Sequence, residues 1–192
     1  MNTNSKKSII TASLLIVFGI VSRFLLVNQP NVSGLETLAL FGGSYFLLKR
    51  FAFIIPIAAY MVSDFIINNT IYSAYYADGV VFYQNYMLWT IGSILLIVLL
   101  GKFLIPKVNL KNTIFGILSA TTVFWLVSNF GTWIGGVTYP KSFSGLIACY
   151  IAAIPFYAYS LIGNAAFGLI LFGGYEWMKA KTPQFTLETS NL

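Results

Sequence analysis

The sequence predicts an all-α polytopic membrane protein with six transmembrane helices and a short interfacial helix before the last span. Hydrophobic residues make up 58% of the chain and charged ones 8%. Soluble domains carry roughly 25% charge, so there is too little polar surface here to cover a globule. Apolar runs of bilayer-spanning length recur along the chain, and they are continuous rather than alternating, which favours helices over a β-barrel. The basic residues gather in segments that share one side of the membrane once the spans are drawn.

The first span is Ser8–Val27, after Lys6 and Lys7. It is long enough to cross and is followed by no small-residue cleavage site, so no removed signal peptide is expected. Leu35–Leu48 is the second span, short at about 21 Å. Phe51–Ile67 is the third, after Lys49 and Arg50; Tyr86–Ile105 is the fourth, Thr113–Ile134 the fifth and Tyr159–Met178 the sixth. As one straight helix, Gly145–Met178 would reach roughly 50 Å against about 30 Å of hydrocarbon. Pro155 is the natural break. Phe143–Ile154 is then a short helix at the outer interface, and its roughly 12 residues are too few for a seventh span. Residues 1–181 are expected to form a single transmembrane domain, with 182–192 a polar tail.

With the N-terminus inside, Lys6, Lys7, Lys49, Arg50, Lys102, Lys107, Lys111, Lys179 and Lys181 all fall on the cytoplasmic side, nine of the eleven basic residues. Lys141 falls outside and Arg23 within a span. The expected location is therefore a bacterial inner membrane, multi-pass, with both termini cytoplasmic. The net charge of +6 is accounted for by topology, and no nucleic-acid partner is expected. There is no histidine, and Cys149 is the single cysteine. That removes imidazole metal sites, His-activated nucleophiles and intramolecular disulfides. With no nucleophile–base set, Walker loop or metal-ligand cluster visible, neither an enzyme nor a cofactor or metal is expected.

The stretch "LALFGGSY" (Leu38–Tyr45) returns as "LILFGGYE" (Leu169–Glu176). Neither copy has the Lys-Ser/Thr of a phosphate loop. In lipid, small residues let helix backbones approach closely. Gly42, Gly43, Gly173 and Gly174 are therefore expected at helix-packing contacts, with a hinge as the sharper alternative.

Four polar groups on four spans fall at nearly one depth from the nearest cytoplasmic charge: Arg23 at about 24 Å, Glu36 at about 20 Å, Asp64 at about 21 Å and Asn164 at about 22 Å. Asn129 lies nearer the outer mouth. A shared polar layer is what an outward-opening pocket produces, and intramembrane ionisable groups are functional candidates. Plainer roles compete. Arg23 can snorkel to headgroups, and Glu36 suits a helix N-terminus. Asp64 sits in the last turn of its span, where the helix dipole disfavours an anion, so it needs a partner or a proton. Arg23, the one basic side chain at that depth, either pairs with it or snorkels. Trp125 and Trp133 are candidate aromatic walls. Tyr72, Tyr75, Tyr76 and Tyr83 are read either as interface residues or as a lid over a pocket. Cys149 reads as a small buried residue, or as a soft ligand for a metal centre in a substrate.

The successive blocks "LALFGGSYF", "PIAAYMVSD", "SNFGTWIGGVTYP", "GLIACYIAAIPF" and "LIGNAAF" resemble those of an uncharacterised bacterial family assigned to transport. That family is similar to the S (substrate-binding) components of energy-coupling factor (ECF) transporters. The blocks run from about Arg23 to Gly174. The resemblance implies a six-helix substrate binder with a pocket near the outer surface, under the loop joining the first two helices. It also implies a transmembrane coupling subunit and two cytoplasmic ATPases as partners. Arg23, Asn31, Asp64, Asn129, Trp133, Tyr139, Pro140, Cys149 and Tyr150 match block positions. The family more often has aspartate where this chain has Asn164, which puts a cation- or proton-binding role there in doubt. Ser8 and Ala12 are a weak match to the small-xxx-small coupling face of S components.

The expected function is S-component-like capture of a small nutrient, of the vitamin or vitamin-precursor class, from the outer side of the bilayer. Its expected substrate-binding residues are Arg23, Asn31, Glu36, Asp64, Asn129, Trp133 and Asn164. A solitary transporter without ATPase partners, and a structural membrane subunit whose polar layer only joins helices, are the alternatives.

Overall fold

Helices account for nearly all regular structure in the computed structural model, which describes residues 3–29, 31–46, 50–76 and 79–181. They are α1 (Thr3–Leu25), α2 (Leu35–Tyr45), α3 (Arg50–Asn69), α4 (Tyr86–Leu104), α5 (Leu110–Gly135), α6 (Phe143–Ala152) and α7 (Ile154–Lys181). A 3₁₀ turn, Ser73–Tyr75, interrupts the α3–α4 loop, and a π turn, Leu169–Gly173, interrupts α7.

Four helices are long and apolar enough to cross a bilayer: α3, α4, α5 and α7. Of the other two expected spans, α2 is short, with 11 residues or about 16 Å, and in α1, 23 residues long, the apolar stretch among the described residues is Ile10–Leu25. The expected end of the second span at Leu48, the cation Lys49 and the tail 182–192 lie outside the described residues. The break before α7 comes at Ala153, beside the expected Pro155. Proline lacks the N–H that would continue a helix, but its fixed φ suits a helix start. The interfacial helix expected at Phe143–Ile154 is α6, started by Ser142, whose Oγ accepts from the Gly145 N–H at 3.2 Å.

The outward faces are as apolar as the interior. Along α1, Ile10, Leu14, Val17, Val21 and Leu25 are all exposed at helical spacing. Such a surface is costly in water and natural in lipid.

The core is organised around α2, in which every residue from Leu35 to Gly43 is buried. It plugs the bundle rather than facing outward. Its partners are α3 and α4 at its sides and α7, which meets it from Glu36 to Tyr45. Two glycines set the α2–α4 crossing. A Cβ on Gly43 would lie 1.9 Å from the Val98 carbonyl oxygen, and one on Gly101 would lie 2.3 Å from the Leu40 oxygen. Ser44 Oγ donates to the Leu40 oxygen at 2.8 Å and reaches the Gly101 oxygen at 3.3 Å. On the other side, Gly42 faces the Ala52 carbonyl, where a Cβ would come within 3.0 Å of the oxygen. That is the carbonyl Pro56, one turn on, cannot bond, because proline has no N–H. Gly42 and Gly43, expected at helix-packing contacts, lie where α2 meets α3 and α4.

Gly173 and Gly174, expected at such contacts too, are placed differently. A Cβ on either meets nothing within 4 Å, so no other described helix of this chain packs closely on them. They lie instead at the end of the π turn. The two similar stretches nevertheless lie side by side in register. Phe41 meets Phe172 at 5.3 Å between ring centroids, and Tyr45 Oη donates to Glu176 Oε1 at 2.7 Å. These are equivalent positions of "LALFGGSY" and "LILFGGYE".

The contacts define two ends of the bundle. Gly43 with Gly101, and Tyr45 with Glu176, mark one end, which also carries Arg50, Lys102, Lys107, Lys111, Lys179 and Lys181. Arg23 with Asp64, Gly34 with Ser22, and Asn31 with Ser160 mark the other.

Candidate functional site

The cation-poor end holds a cavity of about 350 Å³, within the range of small-molecule pockets. It is roofed by the loop between α1 and α2. This loop is tied down at several points. Asn31 adopts φ 57°, a left-handed conformation that asparagine tolerates better than most residues, and its carbonyl accepts from Ser160 Oγ of α7 at 2.6 Å. Gly34 N–H donates to Ser22 Oγ of α1 at 3.1 Å, and Ser22 Oγ in turn donates to the Gly19 carbonyl at 2.8 Å. Tyr72, from the α3–α4 loop, donates from Oη to the Val27 carbonyl at 3.1 Å. Of the tyrosines read as interface or lid, Tyr72 lines the cavity, whereas Tyr75 and Tyr83 are exposed.

Exposure falls from mouth to floor. Gln29, Asn31 and Tyr72 are exposed, while Leu35, Glu36, Tyr60, Asp64 and Ile94 are buried. Arg23 joins α1 to α3. Its Nη2 donates to Asp64 Oδ1 at 3.0 Å and its Nη1 to Ser63 Oγ at 3.0 Å. The guanidinium also lies over the Tyr60 ring, 5.2 Å from its centroid. Asp64 Oδ2 accepts from Asn68 Nδ2 and from Tyr86 Oη, each at 3.0 Å. Both carboxylate oxygens are thus occupied. A buried pair needs such additional bonds to offset its desolvation.

Glu36 stands in the first turn of α2, where the helix dipole favours an anion. Its Oε2 accepts from Asn164 Nδ2 of α7. Asn164 is buried behind it and is saturated. Nδ2 also donates to Thr121 Oγ1 at 3.0 Å, and Oδ1 accepts from Thr37 Oγ1 at 2.8 Å. One side chain therefore ties α2, α5 and α7 together directly under the cavity floor.

Arg23, Asn31, Glu36 and Asp64 line one cavity, and Asn164 braces it. Asn129 and Trp133 do not reach it. Asn129 Nδ2 bonds back to the Trp125 carbonyl at 2.8 Å, and Trp133 Nε1 donates to the Pro140 carbonyl at 2.9 Å. Both belong to the corner between α5 and α6, where Cys149 Sγ contacts the Asn129 carbonyl at 3.5 Å. Trp125 is committed to the same region, through Nε1 to the Ala153 carbonyl at 3.1 Å and a tilted ring contact with Tyr150 at 4.9 Å between centroids. The aromatic walls expected from Trp125 and Trp133 are instead Tyr60, Tyr72, Tyr86 and Phe124. Position along a span does not fix the direction a helix face points, and α5 turns these residues toward α6.

Tyr60, Ser63, Asn68 and Tyr86 were not anticipated. Tyr60, Asp64 and Asn68 follow at i, i+4 and i+8 on α3, one face by helical spacing, and that spacing is a usable signal. Tyr86 has none beyond its place at the start of α4. A second groove of about 500 Å³ between α4 and α5, lined by Leu88, Trp89, Gly92, Leu95, Leu96 and Val127, has no charged group. Among the described residues, no group of three or more His, Cys, Asp or Glu could hold a metal ion.

An all-helical protein with an apolar exterior and a polar cavity at one end is a helical membrane protein. The chain belongs to DUF6580, a family of unknown function, which it matches over residues 3–185. No curated protein and no solved structure matches it.

Proposed function

We propose that this protein captures a small nutrient from the outer side of a bacterial inner membrane, in the manner of the S component of an ECF transporter. The observation that carries the proposal is the cavity of about 350 Å³ under the α1–α2 loop, with buried ionisable side chains at its floor. Intramembrane charge is costly and usually marks a site. The cationic end, with Arg50, Lys102, Lys107, Lys111, Lys179 and Lys181, suits the cytoplasmic face, which turns the cavity outward. In this reading α1 and α2 complete the six crossings, with α2 a half-length helix beneath the roofing loop. Shortened segments of this kind accompany binding sites in transporters. The chain binds, and a coupling subunit with cytoplasmic ATPases drives release.

Mass spectrometry of small molecules retained by gently purified protein tests the proposal. A stoichiometric molecule, absent after Arg23→Ala, is expected. Absence of any retained or added ligand would leave the cavity as helix-joining polar packing, the role of a structural subunit. Active uptake by the chain alone in liposomes would instead favour a solitary transporter.

A further inference from the structure

Two polar groups of the cavity are left over once its hydrogen bonds are assigned. The first is Glu36, 3% exposed. Among the described residues its carboxylate accepts one bond, at Oε2 from Asn164, and Oε1 has no partner. The second is the buried Tyr60 hydroxyl, which has none either. Thr90 is the polar side chain beside it, its own hydroxyl donating to the Tyr86 carbonyl at 3.3 Å, but no described atom forms a hydrogen bond with the Tyr60 hydroxyl. Native proteins leave few such groups unpaired, and each calls for an explanation.

The charges of the cavity point to what completes them. Arg23 is matched by Asp64, both of whose oxygens are occupied. Glu36 remains as a carboxyl group with no cation within ion-pair distance among the described residues. A buried carboxylate with one donor needs a positive partner or a proton. A metal ion is poorly served, because among the described residues no group of three or more His, Cys, Asp or Glu surrounds it. The Tyr60 face is already taken by Arg23, leaving Tyr72, Tyr86 and Phe124 as aromatic surface. Aromatic rings beside an unpaired carboxylate suit an organic cation.

We propose that the cavity selects a small protonated amine, its nitrogen donating to Glu36 Oε1 and a second polar group of the ligand bonding the Tyr60 hydroxyl. The proposal rests on the binding reading above and narrows it to a substrate class. Arg23 and Asp64 then serve as a neutral wall of the cavity, and selectivity for positive charge comes from Glu36.

Titration calorimetry on the detergent-solubilised full chain, with benzylammonium, benzyl alcohol and benzoate as probes of one ring size and three charges, tests it. Benzylammonium should bind roughly tenfold or more tightly than benzyl alcohol, the worth of one hydrogen bond to a charged group, and benzoate should not bind. Glu36→Gln should abolish the preference for the amine over the alcohol. The ranking in the wild-type protein decides the matter even where that variant fails to fold. Benzoate or benzyl alcohol binding as well as the amine, or a preference unchanged in Glu36→Gln, would overturn the cation assignment while leaving a binding cavity. Failure of all three probes, in protein that also retains no small molecule, would overturn both proposals.

Discussion

Arg23 Nη2 and Asp64 Oδ1, 41 residues apart in sequence, meet at 3.0 Å across the contact of α1 with α3. Asp64 is 4% exposed at the side chain and Arg23 20%, so neither charge is fully solvated. Removing one partner should destabilise by about 3–5 kcal/mol, because the other is left buried and unpaired. Arg23→Ala and Asp64→Ala should each lower the melting temperature in detergent. The double variant should regain much of that loss, with a coupling of about 0.5–3 kcal/mol, but should not regain ligand binding. A coupling near zero, with binding intact in both single variants, would show that the pair is not part of the site.

Asn164 is the other centre of the polar layer, bonded to Glu36, Thr37 and Thr121. Replacement by Leu keeps the volume roughly but strips Glu36 of its donor; the Thr37 and Thr121 hydroxyls lose their bonds to the Asn164 side chain and keep those to the carbonyls of residue 164 and Ile117. A buried group so stranded costs about 1–3 kcal/mol. The variant should therefore be among the least stable at any cavity position, despite being more apolar in an apolar protein. Thermal unfolding followed by circular dichroism would measure it. A melting temperature at or above that of the parent would mean the network contributes nothing net.

The pair and the network were legible in the sequence to different degrees. Depth counted from the flanking cations placed Arg23, Glu36, Asp64 and Asn164 in one layer, and they do converge, because each lies on a helix whose rise per residue is fixed. Depth carries no azimuth, so Asn129, read near the outer mouth, belongs with α6 and not with the cavity, and Trp133, expected as an aromatic wall, lies in the same corner. The spans on α3, α4, α5 and α7 were visible as apolar runs. The full burial of α2 was not, because in lipid an apolar residue reads the same whether it faces a helix or an acyl chain. The glycine pairs failed in the same way. Both copies look alike as strings, and only the partner helices α3 and α4 beside Gly42 and Gly43 distinguish them from Gly173 and Gly174.

That difference is directly testable. A methyl group on Gly43 would overlap the Val98 carbonyl oxygen, an atom held by its own helix and unable to yield. Overpacking of this kind costs typically 1–3 kcal/mol or more. Gly43→Ala should thus lower the melting temperature or prevent folding. Gly173→Ala meets open space and should be tolerated or slightly stabilising, since alanine is the better helix former by about 1 kcal/mol. Equal loss from both would mean that the second pair packs against something outside this chain.

Cys149 should be a poor nucleophile in the folded protein. It is 2% exposed, and burial pushes its thiol above the usual value, against a smaller opposing pull from Lys141. Thiolate is the reactive form. Maleimide labelling at neutral pH should be slow, should quicken as pH rises toward the elevated thiol value, and should become fast on denaturation. Rapid labelling of native protein at neutral pH would show that the corner between α5 and α6 opens.

This slow reactivity prepares the test of membrane orientation. Arg50, Lys102, Lys107, Lys111, Lys179 and Lys181 crowd one end of the bundle, while Lys141 stands at the other with the cavity. Cytoplasmic loops carry the excess of lysine and arginine, so the cavity should open outward. Ser73, in the 3₁₀ turn beside the cavity, and Asn109, the N-cap of α5, are both exposed and lie at opposite ends. In a Cys149→Ser background, single cysteines at these two positions should label oppositely in intact cells. Ser73→Cys should react with an impermeant maleimide from outside, and Asn109→Cys should react only after the membrane is breached. Labelling of both from the same side would break the topology. The reverse pattern would keep it but turn the cavity toward the cytoplasm, and capture of a nutrient from outside would then be untenable.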